Sequence, residues 1–150
     1  EIAKLGAYRA GAVIREEDVR ILSSSAVSEQ SVFRALDLLA SGEKKAAMIL
    51  FSQLTREGDA LGLLGLCAWQ LRNIVRVAGA RTDGAVRTAF DAARILKMQP
   101  FVAEKSFRIA VTRSPQFFYE QFVRLARLDR EAKSGDRDPE EALTEFVMGG

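Results

Sequence analysis

The chain contains no histidine and one cysteine, Cys67. The first absence removes the commonest general base and the commonest metal ligand. The second rules out an internal disulfide, fits a reducing compartment, and leaves too few thiols for a structural zinc site. No apolar run approaches the ~20 residues that cross a bilayer, and no signal-peptide pattern is present, so the expectation is a cytoplasmic chain without a membrane partner. Neither a Walker-type phosphate loop nor a dinucleotide-binding glycine pattern occurs. "LGLLGL" at 61–66 resembles one only superficially, because apolar residues separate its glycines in a helical pattern, where they are expected to permit close packing. β-Branched residues nowhere alternate with polar ones for long enough to read as a strand. With these gaps in the inventory, no cofactor is expected and the fragment reads as non-catalytic.

What is present is helical periodicity. Ala47, Leu50, Phe51 and Leu54 form one apolar stripe. Leu61, Leu64, Ala68, Leu71, Val75 and Ala78 form a longer one, which Leu63, Leu66, Cys67 and Ile74 widen into a central, largely covered helix. Val32 or Phe33 with Leu36 and Leu39, and Phe90 with Ala93 and Leu96 or Lys97, mark shorter helices. All three prolines stand at helix starts, Gln99-Pro100, Ser114-Pro115 and Asp138-Pro139. Their inward faces are expected at Phe101, Val102, Phe107 and Ile109, then at Phe118, Phe122, Leu125 and Leu128, and last at Ala142, Leu143, Phe146 and Val147. The fold class is all-α, a helical bundle.

The stretch "LARLDREAKSGDRDPEEAL", 125–143, predicts one helix ending and another beginning: Gly135 as a left-handed cap, Asp138 as N-cap, Pro139 in the first turn. Asp136 and Asp138 could instead be read as metal ligands, but only two acids of a calcium loop would be in place, and capping accounts for Asp138. Glu16, Glu17 and Asp18 likewise fit a helix first turn. The polar run "SSSAVSEQ", 23–30, is the expected boundary between two short N-terminal helices (the tail of a preceding domain, 1–23) and a helical domain over 24–150. A start at Glu1 rather than Met agrees with a piece of a longer protein.

Charge is uneven. Residues 72–133 hold 13 Lys/Arg against 6 Asp/Glu, while residues 134–150 hold one Arg against five acids. The basic segment fits either solvated helix faces or a nucleic-acid or acidic-protein neighbour. On the central helix, Trp69, Gln70, Arg72, Asn73 and Arg76 make a polar shoulder, readable as a simple boundary or as a contact with another subunit. Trp69, Arg72, Asn73 and Arg76 are the interface candidates. Phe117, Phe118 and Tyr119 are consecutive and cannot all face one core. An exposed one could serve an interface or stack on unpaired bases.

Four segments occur in an order and spacing that resemble a known family: "EIAKLGAY…REEDV" near the start, "AWQLRNIVRV" at 68–77, "LKMQPFVAEKS" at 96–106, and the 125–143 stretch. Together they resemble the C-terminal part of the delta subunit of bacterial DNA polymerase III, a clamp-loader subunit of the polymerase holoenzyme. The resemblance implies that residues 1–23 end an AAA+ lid domain and that 24–150 form the collar. It also implies partners: the delta prime and tau/gamma subunits, primed DNA in the assembled complex, and the sliding clamp through an N-terminal module outside this sequence. The delta subunit is not expected to hydrolyse ATP. Arg15 stands where the family often has a capping Ser or Thr before "EEDV". Lys133 and Arg137, on the predicted corner, are candidates for approaching DNA. The competing reading is a stand-alone helical nucleic-acid-binding module.

Overall fold

The structure, a computed structural model, describes residues 29–149. The N-terminal expectations, including the 1–23 segment, its acidic triplet, Arg15 and most of the 23–30 boundary, lie outside the described residues. Within them the chain forms α1 (Glu29–Ala40), α2 (Lys44–Glu57), α3 (Ala60–Thr82), α4 (Ala89–Ile95), α5 (Pro100–Ala110), α6 (Pro115–Lys133) and α7 (Pro139–Met148), with no strand. The all-α reading holds. None of these helices is long and apolar enough to cross a membrane.

Local chemistry starts and stops the helices where the punctuation predicts. Each proline occupies the first turn of its helix. The Asp138 carboxylate accepts from the Glu140 and Glu141 amides at 3.1 and 3.2 Å, and the Ser114 hydroxyl accepts from the Phe117 amide at 3.2 Å. At the end of α6, Gly135 takes φ +87°, and the Asp136 amide donates to Glu131 O at 2.9 Å across it. This is the paired-carbonyl closure that a left-handed residue after a helix makes possible. Lys97 performs the same reversal after α4 with φ 56° although it carries a Cβ. A capping box of Thr88 and Asp91 heads α4; its Thr-x-x-Asp spacing is a sequence signal that periodicity alone passes over.

α3 lies at the centre. It packs most extensively on α6, then on α5, and also meets α1, α7 and α2; α4 is held against α5. Because neighbours surround so much of α3, its buried side is wider than the stripe the periodicity favours. Of that stripe Leu64, Leu71 and Ala78 are buried and Leu61, Ala68 and Val75 are half-buried, while Leu63, Leu66, Cys67 and Ile74 are buried beside it with Gln70 and Val77. The residues expected to widen the stripe are thus as much a part of the core as the stripe itself. A second correction concerns α4, where Phe90 is 73% exposed and Ala92 takes the buried position. A seven-residue helix fixed by its cap offers one narrow contact side, and here the small alanine fills it. On α5, Val102 and Ile109 point inward as expected, with Ala103, Ser106 and Ala110. Phe101 stays partly exposed, edge-on to Phe33 with ring centroids 6.1 Å apart.

Candidate subunit interface

The outward side of α3 is built by spacing alone. Gly65, Ala68, Arg72, Val75, Arg76 and Gly79 recur every three or four residues, so they share one stripe, and none of them is buried. Nothing within the domain comes close to it at the glycines: a Cβ added at Gly65 or Gly79 would meet no atom within 4 Å. The expectation that the "LGLLGL" glycines permit close packing therefore fails at Gly65, at least against the domain's own helices. A glycine in open space in mid-helix costs backbone entropy without compensation. Gly65→Ala should accordingly stabilise the isolated domain by about 1 kcal/mol, read as a rise in the chemical-denaturation midpoint at unchanged slope.

The four interface candidates divide. Trp69 and Asn73 are buried in the bundle, whereas Arg72 and Arg76 are exposed. The two arginines stand four residues apart on one helix side, an arrangement that is mildly repulsive. Arg76 is restrained by its own domain: Nη1 donates to Asn73 Oδ1 at 3.3 Å and Nη2 to the Leu96 carbonyl at 2.8 Å, tying α3 to the end of α4. Partial burial, and then the Arg72 charge, push the Arg76 guanidinium pKa down, although a guanidinium remains charged at any physiological pH. Arg72 makes no hydrogen bond or ion pair among the described residues. An uncompensated cation in a stripe of small and apolar residues is suited to an acidic group on another surface.

The corner between α6 and α7 has a different character. Lys133 Nζ meets Asp129 Oδ2 at 2.9 Å. Arg137 bridges two helices, with Nε 2.8 Å from Glu131 Oε1 and Nη1 2.6 Å from Glu145 Oε1, and Arg127 joins the same two carboxylates. Both cations proposed to approach DNA are thus paired inside the domain. The Arg137 hydrogen bond, foremost, and then Arg127 hold the Glu131 carboxyl below the ordinary glutamate range despite some opposing desolvation. Because the folded-state pKa is depressed, the stabilisation is present above the ordinary range and is lost as pH falls through the lowered value. Glu131→Gln should therefore lower the melting temperature near pH 7, where the stabilisation it removes is fully present, and flatten the acid limb, so that the two chains converge at low pH. An unchanged acid limb would show that the network contributes nothing to it.

The acids read as possible metal ligands serve the corner itself: Asp138 caps α7, and Asp136 Oδ2 accepts from the Ser134 hydroxyl at 2.9 Å. Among the described residues no three His, Cys, Asp or Glu side chains gather where they could hold a metal. Cys67 is buried, and desolvation, with the Asp129 charge second, pushes its thiol pKa far up, so it stays protonated at neutral pH. Of the three consecutive aromatics, Phe118 is buried, Phe117 half-buried and Tyr119 exposed. Two arginines with no sequence signal close the bundle. Arg113 Nη1 donates to Ala40 O at 2.8 Å while its guanidinium lies 4.0 Å from the Phe117 ring centroid. Arg124 Nη2 donates to Glu145 O and Phe146 O, both at 3.2 Å, at the end of α7.

A central helix packed by five others makes the described residues an all-α helical bundle. The solved structure of the Bacillus subtilis DNA clamp loader delta protein has this fold, with a TM-score of 0.72 over 98% of the present chain at 22% identity. The chain belongs to the family of the C-terminal domain of the DNA polymerase III delta subunit, whose model matches residues 29–149. It corresponds to 43% of the length of the Bacillus chain. No curated protein matches it.

Proposed function

We propose that this domain is the collar of the delta subunit in a cytoplasmic clamp loader, and that it assembles with the delta prime and tau/gamma subunits into the complex that loads the sliding clamp onto primed DNA. Residues 1–23 would end the AAA+ lid and 24–150 form the collar, with clamp contact supplied by an N-terminal module. The observation that carries this reading is the open α3 stripe, where Arg72 stands unpaired and Gly65 leaves room for a close approach. Membership of the delta family supports it.

The alternative, a stand-alone nucleic-acid binder using residues 72–133, is disfavoured by where the charges go. Arg94, Arg108, Arg127 and Lys133 are ion-paired, and Arg76, Arg113 and Arg124 are bonded to backbone carbonyls. The other six, Arg72, Arg81, Arg87, Lys97, Lys105 and Arg130, are spread over α3, α5, α6 and the turns on either side of α4. They do not form one continuous row to neutralise phosphates together, and each phosphate neutralised adds roughly one unit to the salt slope. The test is to mix the chain with delta prime and tau/gamma at physiological salt and to measure binding to short primed DNA in parallel. Co-elution with the subunits and only weak, salt-abolished DNA binding is the expected result. Tight DNA binding at that salt with no association with the subunits would overturn the collar reading.

A further inference from the structure

The described residues enclose a cavity of about 210 Å³ that lies apart from the α3 stripe and is used by nothing above. It opens where the end of α1, the start of α2, the α5–α6 corner and the end of α7 meet over α3. Its floor is apolar, formed by Leu71, Ile74, Phe118 and Phe146, all buried. The polar side chains that line it are Lys44, Arg113 and Gln121, with no acid among them. Arg113 gives Nη1 to Ala40 O and stacks on Phe117, which fixes the guanidinium while no other described acceptor takes its remaining N–H groups. Lys44 is exposed, opens α2, and makes no ion pair or hydrogen bond among the described residues.

A dry apolar cavity of about 150 Å³ is enough to take up a benzene ring. The present one is larger, and its only charges are two cations. A neutral hydrocarbon would leave those cations unused, and a bare inorganic anion would leave the apolar floor unfilled. We propose that the cavity is a binding site for a small amphipathic carboxylate, with an apolar group inside and the carboxylate against Arg113 and Lys44. Its apolar part would be a phenyl ring or a chain of about eight carbons, judged against the benzene-sized cavity. A free acid and the C-terminal residue of another polypeptide present the same chemistry. The inference does not depend on the collar reading.

The test is a titration of this chain, followed by methyl and amide NMR, with octanoate, octanol, and an acetylated tripeptide ending in leucine as free acid or as amide. Octanoate is expected to shift Leu71 and Ile74 methyl signals, and octanol to bind about tenfold more weakly for want of the charge-assisted contact. Lys44→Gln and Arg113→Gln should each weaken octanoate about tenfold and leave octanol unchanged. Lys44→Gln alters an exposed side chain, so it keeps the test open should Arg113→Gln unfold. Leu39→Trp, at the half-buried wall, should occlude the site and abolish both. Tighter binding of the peptide acid than of octanoate assigns the site to a chain end, and the reverse to a free acid. No binding, shifts confined to other parts of the domain, or octanoate affinity indifferent to both cations would overturn the proposal.

Discussion

Replacing Arg72 and Arg76 together by glutamate should, on the proposed collar function, weaken association with delta prime and tau/gamma by about 100-fold or more, the scale on which paired arginine hot spots act. The substitution puts two negative charges where the open stripe presents two positive ones, so an acidic partner surface would meet repulsion as well as a lost contact. The two positions are not equivalent. Arg76 holds the Leu96 carbonyl, and its loss frees the end of α4; Arg72 bonds to nothing among the described residues. Arg72→Glu alone is therefore the cleaner variant and should give a large part of the effect with an unchanged melting temperature. Arg34→Glu, exposed on α1, serves as the control. Sedimentation or calorimetric titration against the partners reads the outcome. Equal loss in the control would reduce the effect to net charge, and no loss in Arg72→Glu would remove the stripe from the interface.

Phe118→Ala should cost about 3–5 kcal/mol of stability, as expected for truncating a buried phenylalanine in a close-packed site. The ring is 2% exposed, packs edge-on to Phe117 with centroids 5.2 Å apart, and borders an existing cavity. Enlarging that void removes dispersion contacts on several helices at once. Against a total stability of about 5–15 kcal/mol, such a loss leaves a marginal domain. Tyr119→Ala, one residue further on and 53% exposed, should stay within about 0.5 kcal/mol of the parent. Urea denaturation of the two variants side by side checks the pair. Similar costs at both positions would mean that the start of α6 is rotated from the arrangement described.

That contrast also shows what the sequence could and could not disclose. The consecutive aromatics announced that they could not share one core but not which would enter it, because three adjacent positions span most of a helical circumference. The helix starts were readable at all three prolines, since the ring fixes φ and dispenses with an amide the first turn leaves unbonded. The core side of α3 was readable only in part: Leu64, Leu71 and Ala78 of its stripe are buried, but Leu61, Ala68 and Val75 are not. When five neighbours cover most of a helix, its apolar arc is wide and the period carries little direction. Phe90 was misplaced for the opposite reason: one large side chain dominates the pattern of a very short helix, yet a buried alanine makes its contact. Of the candidate interface, spacing brought out Arg72 and Arg76, but no spacing distinguishes them from Trp69 and Asn73, because burial there depends on helices far along the chain. The clamps made by Arg113 and Arg124 on distant carbonyls were invisible for the same reason.

The most extensive helix pair in the domain, α3 with α6, has everything from Asp83 to Ser114 between its members. Nearest-neighbour docking cannot complete such a pair; the intervening α4 and α5 must be carried along as an excursion while its two ends find each other. Closing a flexible segment becomes costlier only with the logarithm of its length, about 0.6 kcal/mol for each doubling. The turn before α4 is therefore a place where extra residues slow the approach to the native state without much altering the equilibrium. Pairs so far apart in the chain form slowly, and the speed with which α3 finds α6 depends on how compactly α4 and α5 travel between them.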